Sequence, residues 1–128
     1  MNCRLTENTI SITDTSHYSW WQVSLHSLSQ VKSIVIYNRD DCCSDQLSHA
    51  TIYVKMTNRY APQFNNTGDM KGVRVREFTG ERSFFGRTVK IEKNYSDVPL
   101  SLCEVEVYGK TGLNLIFLIL LQVRQSKL

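Results

Sequence analysis

Apolar and polar residues alternate along most of this chain, and a period of two commits it to strands rather than helices. Trp21 to Leu25 alternates, and Val31 to Tyr37 (VKSIVIY) is β-branched and reads as a half-buried central strand. In a third run Ala50, Ile52, Val54 and Met56 share one face, with Thr51, Tyr53 and Lys55 on the other. Gly72 to Phe78 and Arg87 to Lys93 are further strands. Ser101 to Tyr108 (SLCEVEVY) sets Leu102, Glu104 and Glu106 on one side and Cys103, Val105 and Val107 on the other. Asn, Asp, Gly and Ser cluster between these runs. Short strands at this spacing predict an all-β fold, an antiparallel sandwich or jelly roll, with Trp20 or Trp21 in or near its core. No stretch before residue 112 has the period of a long helix, and no segment repeats. A chain of 128 residues, 41% apolar, can build one core and no more than one domain.

Several function classes drop out. A net charge of +3 names no partner. The basic residues Lys71, Arg74, Arg76, Arg82 and Arg87 cluster, but Val73 and Val75 alternate with Arg74 and Arg76. That pattern predicts a strand with a solvated basic face, and no aromatic residues interleave as a nucleic-acid groove requires. His17, His26 and His49 have no metal or triad spacing, and there is no phosphate loop or nucleophile elbow, so no enzyme is predicted. Leu113 to Leu121 (LNLIFLILL) is apolar except for Asn114, yet a membrane-spanning helix needs ~20 such residues. No membrane span is expected. Tyr108-Gly109 reads as a domain end, which makes residues 1–109 the domain and 110–128 an apolar tail outside it.

Four cysteines, Cys3, Cys42, Cys43 and Cys103, allow three pairings, and no spacing among them suggests zinc. Cys42 and Cys43 are adjacent in the run Asn38-Arg39-Asp40-Asp41-Cys42-Cys43. Their Cα atoms can stand only ~3.8 Å apart across a trans peptide, below the usual ~4.4–6.8 Å of a bridged pair. Two readings are therefore open: free or separately bonded thiols, or a small strained ring. A ring would present a rigid, flat, weakly apolar surface. Beside it Arg39 can donate forked hydrogen bonds and Asp41 can hold that fork. A plate next to a fixed multiple donor suits a ligand with one apolar face and several hydroxyls, such as a sugar. If the ring forms, Cys3 and Cys103 remain, and a bridge between them would close a loop of about 100 residues, worth on the order of 4–5 kcal/mol. Oxidised cysteines imply an extracellular setting, and sequons at Asn65 and Asn94 agree with it. Met1 to Glu7 carries no apolar signal-peptide core.

In order along the chain, WWQVSL (from Trp20), VKSIVIYNRDDCC (from Val31), HATIYV (from His49), GRTVKI (from Gly86) and LSLCEVEVYG (from Leu100) resemble the F-type lectins, the fucolectin–tachylectin–pentraxin group. The resemblance covers residues 11–109 and implies a jelly-roll sandwich related to the discoidin and F5/8 type C domains. It implies a Cys42–Cys43 ring lying against the sugar; the family's early cysteine falls at Ile10 by spacing, so a Cys3–Cys103 bridge is expected only through a differently built loop. It also implies a secreted, calcium-stabilised module that recognises terminal fucose on glycans in innate immune recognition. Fucosylated glycans are the partners it suggests, with self-association left open. The family's polar clamp is a His, an Arg-x-Asp and a further basic residue. Arg39 and Asp41 match the middle element. Gln46 stands where the last basic residue falls and Ile12 where the His falls, with His17 five residues on. Glu104 and the Cys103 carbonyl match part of the calcium site, whose early loop is expected to lie in an N-terminal segment that this chain lacks or has replaced. The substitutions at positions 12 and 46 keep a second reading in play: a degenerate lectin fold without sugar binding, serving protein interaction or nothing.

Overall fold

Two strands of 20 residues dominate the computed structural model, which describes residues 10–13, 18–57, 59, 61–94, 98–110 and 116–122. The strands are β1 (Ser11–Ile12), β2 (Tyr18–Tyr37), β3 (Thr51–Lys55), β4 (Gln63–Asn66), β5 (Val75–Asn94), β6 (Ser101–Leu102), β7 (Glu104–Lys110) and β8 (Ile116–Gln122). Six of them form an antiparallel sheet in the order β4-β3-β5-β2-β7-β8, and β1 pairs with β6 in a small second sheet. Among the described residues the helical content is one 3-10 turn, Ser44–Leu47. The architecture is the antiparallel all-β sandwich that the alternation predicts.

A straight strand of 20 residues would run ~65 Å, whereas a chain of this length packs to a radius of gyration of ~14 Å. The long pair must bend. The β2–β5 ladder shifts register between Ser24 and Ser29 and again between Val31 and Ser33, and such bulges bend and twist a strand pair. On one side of the bend Tyr18–Ser24 pairs with β5 residues 88–94, which β3 and then β4 extend. On the other, β2 residues 29–37 lie between β5 residues 75–86 and β7. The inner faces of both halves feed one core: Trp21, Leu25, Ile52, Val54, Val89 and Ile91 from the first, Ile34, Ile36, Phe78, Val105 and Val107 from the second. The curl returns both ends of the long pair to the segment that follows Tyr37, residues 38–50.

The structure corrects several local expectations. The runs 21–25 and 31–37 belong to one strand, as do most of 72–78 and 87–93, because the bulges interrupt the side-chain period while the backbone pairing continues. Met56 lies past the end of β3 and is exposed. Ser101 to Tyr108 is broken at Cys103, so Leu102 and Cys103 are both buried, one facing the small sheet and the other leading into β7. Val75 is exposed, while Arg76 on the opposite face turns in and donates to the carbonyls of Thr67 (2.9 Å) and Asp69 (3.1 Å). Residues 116–122 of the tail expected outside the domain pair along β7, from Glu104↔Gln122 to Lys110↔Ile116. An apolar run can satisfy its own backbone and that of an open sheet edge in this way.

Gly109 marks the tightest approach in the sheet. A Cβ there would strike the carbonyl oxygen of Gln30 and come within 3.1 Å of Val31 Cα, both backbone atoms of β2. Neither can step aside without breaking the ladder. Gly109→Ala is expected to cost about 1–3 kcal/mol, seen as a lower urea midpoint. An unchanged midpoint would mean that the β2–β7 contact has slack that the structure does not show.

Candidate carbohydrate site

The segment after β2 is organised by a buried asparagine. Asn38 donates from Nδ2 to the carbonyls of Ser44 (2.8 Å) and Val73 (3.1 Å), while its Oδ1 accepts the Arg39 backbone N–H (2.9 Å). Its own N–H donates to the Arg74 carbonyl at 2.8 Å. One side chain thus ties the start of the loop to its middle and to the 70–74 segment. Each bond satisfies a group that burial would otherwise leave unpaired.

Arg39 comes next, with its side chain only 4% exposed. Its Nε and Nη2 donate to Asp41 Oδ1 (2.8 Å) and Oδ2 (2.9 Å) in a two-pronged pair, and Nη1 donates to Gln46 Oε1 at 3.2 Å. Such forked pairs are the geometry in which a guanidinium is best held. The hydrogen bonds that Arg39 donates to Asp41 raise its pKa against the opposing effect of burial, so the group stays charged. Three of its five N–H groups are engaged among the described residues. One on Nη1 and one on Nη2 remain for a ligand. An arginine offers no acceptor, so the Gln46 amide must turn its oxygen inward and keep its NH₂ as a donor pair.

Cys42 and Cys43 are bonded to each other, with Cα atoms 3.8 Å apart, and both are exposed. Asp41 Oδ1 also accepts the Cys42 backbone N–H at 3.0 Å, so one carboxylate fixes both the arginine and the ring. Cys43 sits at φ 60°, ψ 33°, a left-handed conformation that costs a non-glycine residue roughly 1–2 kcal/mol. The 3-10 turn follows, with Gln46 N–H donating to the Cys43 carbonyl at 3.0 Å and Leu47 fully buried as its anchor. A cavity of about 330 Å³ opens beside the ring, bounded by Arg39, Asp40, Cys42, Cys43, Val73 and Arg74. That is the lower end of the range for small-ligand sites.

The structure adds a residue that the sequence pattern left unremarked. Lys93, 8% exposed, ends β5 on the same face as Val89 and Ile91, and its Nζ donates to the Gln46 carbonyl at 3.2 Å. Burial pulls its pKa down, with Asp45 opposing. The signal was present in the alternation, which puts position 93 on the apolar face of its strand.

Glu104 opens β7 opposite Tyr37, two residues before Arg39. Its Oε2 is buried without a hydrogen-bond partner among the described residues, and burial followed by the Glu106 charge pushes its pKa up. An orphaned carboxylate oxygen fits a cation ligand. No group of three or more acidic, His or Cys side chains gathers around it among the described residues. Cys103 is buried and disulfide-bonded, and its N–H donates to the Tyr37 carbonyl at 2.7 Å. Cys3, the partner expected for it, and His17 lie outside the described residues. Ile12 is half-buried in β1 opposite Ser101, and β6 in turn packs against the 3-10 turn. Position 12 is therefore near the site but brings no polar group to it. The Asn65 sequon has its Thr67 hydroxyl buried, donating to the Leu47 carbonyl at 2.7 Å and accepting from Ala50 N–H at 2.9 Å.

The sequence and the fold have known counterparts. The F5/F8 type C family profile described as "NedA-like, galactose-binding domain" matches residues 6–91, and the chain belongs to that family. Fucolectin-1 of Anguilla japonica is 33% identical over 108 residues, which is 81% of this chain and 60% of the fucolectin. The chain thus spans about three-fifths of that relative. The F-lectin from striped bass (Morone saxatilis) serum superposes with a TM-score of 0.79 at 26% identity, covering 85% of this chain and 39% of that one. A fucose-binding module of Streptococcus pneumoniae gives 0.75 at 28% identity, over 85% of this chain and 76% of that one. No helix among the described residues is long and apolar enough to cross a membrane.

Asp41 is the group on which the buried arginine depends. Asp41→Ala is expected to destabilise the fold by about 2–4 kcal/mol, since removing this partly exposed acceptor strands the buried Arg39 charge. The double variant Arg39→Met, Asp41→Ala should recover most of that loss. Urea melts of the three proteins decide it, and a loss below about 1 kcal/mol for Asp41→Ala would show that the pair is solvated rather than buried.

Proposed function

We propose that this chain is a secreted lectin domain that binds terminal fucose on glycans. The observation that carries the reading is the buried Arg39 fork, locked by Asp41 beside the Cys42–Cys43 plate. The arginine's two remaining N–H groups and the Gln46 amide are fixed donors for sugar hydroxyl or ring oxygens. The disulfide plate is the surface for the apolar side of the sugar. Because Asp41 orients both the fork and the plate, the sugar meets donors already in place, and less conformational freedom is lost on binding. The names of the relatives support fucose as the sugar. A bonded cysteine pair supports an oxidising compartment, and so does a serum-derived structural neighbour. β8 pairs along the edge of this domain.

Calcium belongs to the same reading. Glu104 Oε2 and the Cys103 carbonyl are the oxygens that this chain's described residues offer to it, and Ca²⁺ would there be structural, neutralising a carboxylate that burial disfavours. The Glu104 pKa is raised in the folded state, so without metal its ionisation removes stability as pH climbs out of the ordinary carboxylate range. Added Ca²⁺ should raise Tm at pH 7, and less so at a pH where Glu104 is protonated. Glu104→Gln should abolish the metal response. A Tm indifferent to Ca²⁺ in the natural chain removes calcium from the reading.

Fucose titration tests the site itself. Arg39→Ala should weaken binding roughly 10–100-fold, the loss expected when charge-assisted hydrogen bonds go unmade. Binding indifferent to Arg39→Ala would move the site elsewhere. If the natural chain binds no fucosylated glycan, the second reading stands, a lectin fold that has lost its sugar through Ile12 and Gln46.

A further inference from the structure

A lysine buried at the end of β5 is hard to explain by packing. Lys93 is 8% exposed and its Nζ has the Gln46 carbonyl as its hydrogen-bond acceptor at 3.2 Å. Asp45 acts on it through space, not through a hydrogen bond. Burying an ammonium costs several kcal/mol unless it is well paired, and an apolar side chain of similar length would fill the same space without that cost. Something other than stability accounts for the residue.

Its position suggests what. Gln46 is gripped from two ends by two cations: Arg39 Nη1 holds its amide oxygen at 3.2 Å, and Lys93 holds its carbonyl oxygen. Asp41 already matches the Arg39 charge with a forked pair, whereas Lys93 meets Asp45 only through space, so Lys93 is the less fully matched of the two cations that hold Gln46. We infer that Lys93 is a cation standing behind the glycan site, a positioning residue from a distant strand that sets the Gln46 donor pair and adds its charge behind it. Position 46 itself is then better neutral. A basic side chain there could not accept from Arg39 and would face two cations. The ligand favoured is a sugar that offers hydroxyl lone pairs to Gln46 Nε2 and carries no cationic substituent.

The inference rests on the fucose reading, and the experiment separates them. L-fucose binding and Tm are measured on the full chain, on Lys93→Met, on Lys93→Gln and on the double variant Lys93→Met, Gln46→Arg. Lys93→Met should bind about tenfold more weakly, the loss of one charge-assisted contact, while its Tm holds or rises. Lys93→Gln keeps a donor for the Gln46 carbonyl but no charge, and should be weakened to a similar degree. It serves equally if the methionine variant fails to fold. The double variant should recover part of that loss, because a charge is restored at position 46 even though Arg39 loses its acceptor there. Natural affinity in either single variant, or a double variant no better than Lys93→Met, overturns the assignment and leaves fucose binding intact. A natural chain that does not bind fucose overturns both.

Discussion

The whole molecule depends on one strand pair folding over on itself. β2 and β5 run side by side for 20 residues each, far longer than a small domain can hold straight. The two register shifts in their ladder turn this pair into both layers of the sandwich. Each remaining strand attaches to one half or the other. β3 and β4 extend the half that contains Trp21 and Ile91, and β7 and β8 extend the half that contains Ile34 and Ile36. Bending the pair also sets the site. Tyr37, the end of β2, and Lys93, near the end of β5, lie at opposite ends of the ladder. Nonetheless, both serve residues 38–46, since Arg39 follows the first and the second bonds Gln46. A flat sheet could not bring them together.

Within that frame the local chemistry is governed by burying Arg39. A guanidinium with 4% exposure demands acceptors for its N–H groups, and the chain supplies them from two and seven residues away, Asp41 and Gln46. Asp41 also takes the Cys42 N–H, which ties the ring's orientation to the arginine's charge. Asn38 then ties the base of the loop to the 70–74 segment through backbone carbonyls. The left-handed Cys43 is a local cost, tolerated because its surroundings over-determine it. None of these bonds makes sense alone. Together they hold a fork and a plate at fixed relative position.

Much of this was legible in the residues, and the rest was not for definite reasons. The faces of β3 are as the alternation predicts, with Ala50, Ile52 and Val54 fully buried, because a half-buried strand writes its period into composition. Arg39, Asp41, Cys42, Cys43 and Gln46 converge because eight consecutive residues can hardly do otherwise. The long strands were not legible. The alternation lapses between the runs 21–25 and 31–37, and only pairing with residues distant in sequence shows that one strand continues through the gap. The alternation of Val73 to Arg76 puts Arg76 outward, whereas the ladder that begins at Val75 turns Val75 out and Arg76 in. The partnership of Lys93 with Gln46 spans 47 residues. The lysine's face is readable from the alternation of Val89, Ile91 and Lys93, but the loop it meets is not.

Position 46 illustrates why a motif should be weighed by physics rather than by matching letters. Read as a pattern, glutamine there is a defect, a lost charge in a clamp built for sugar. In the structure it accepts from Arg39 and is held by Lys93, so it joins two cations that a third would only repel. The donors it turns outward are fewer than an arginine's, but their direction is set by a partner that cannot accept. Affinity for a hydroxylated ligand depends on donors being oriented before the ligand arrives as much as on their number. A site can therefore trade a mobile charge at its rim for a neutral donor at the same place and a fixed charge behind it. Such an exchange leaves the letter changed and the electrostatics largely conserved.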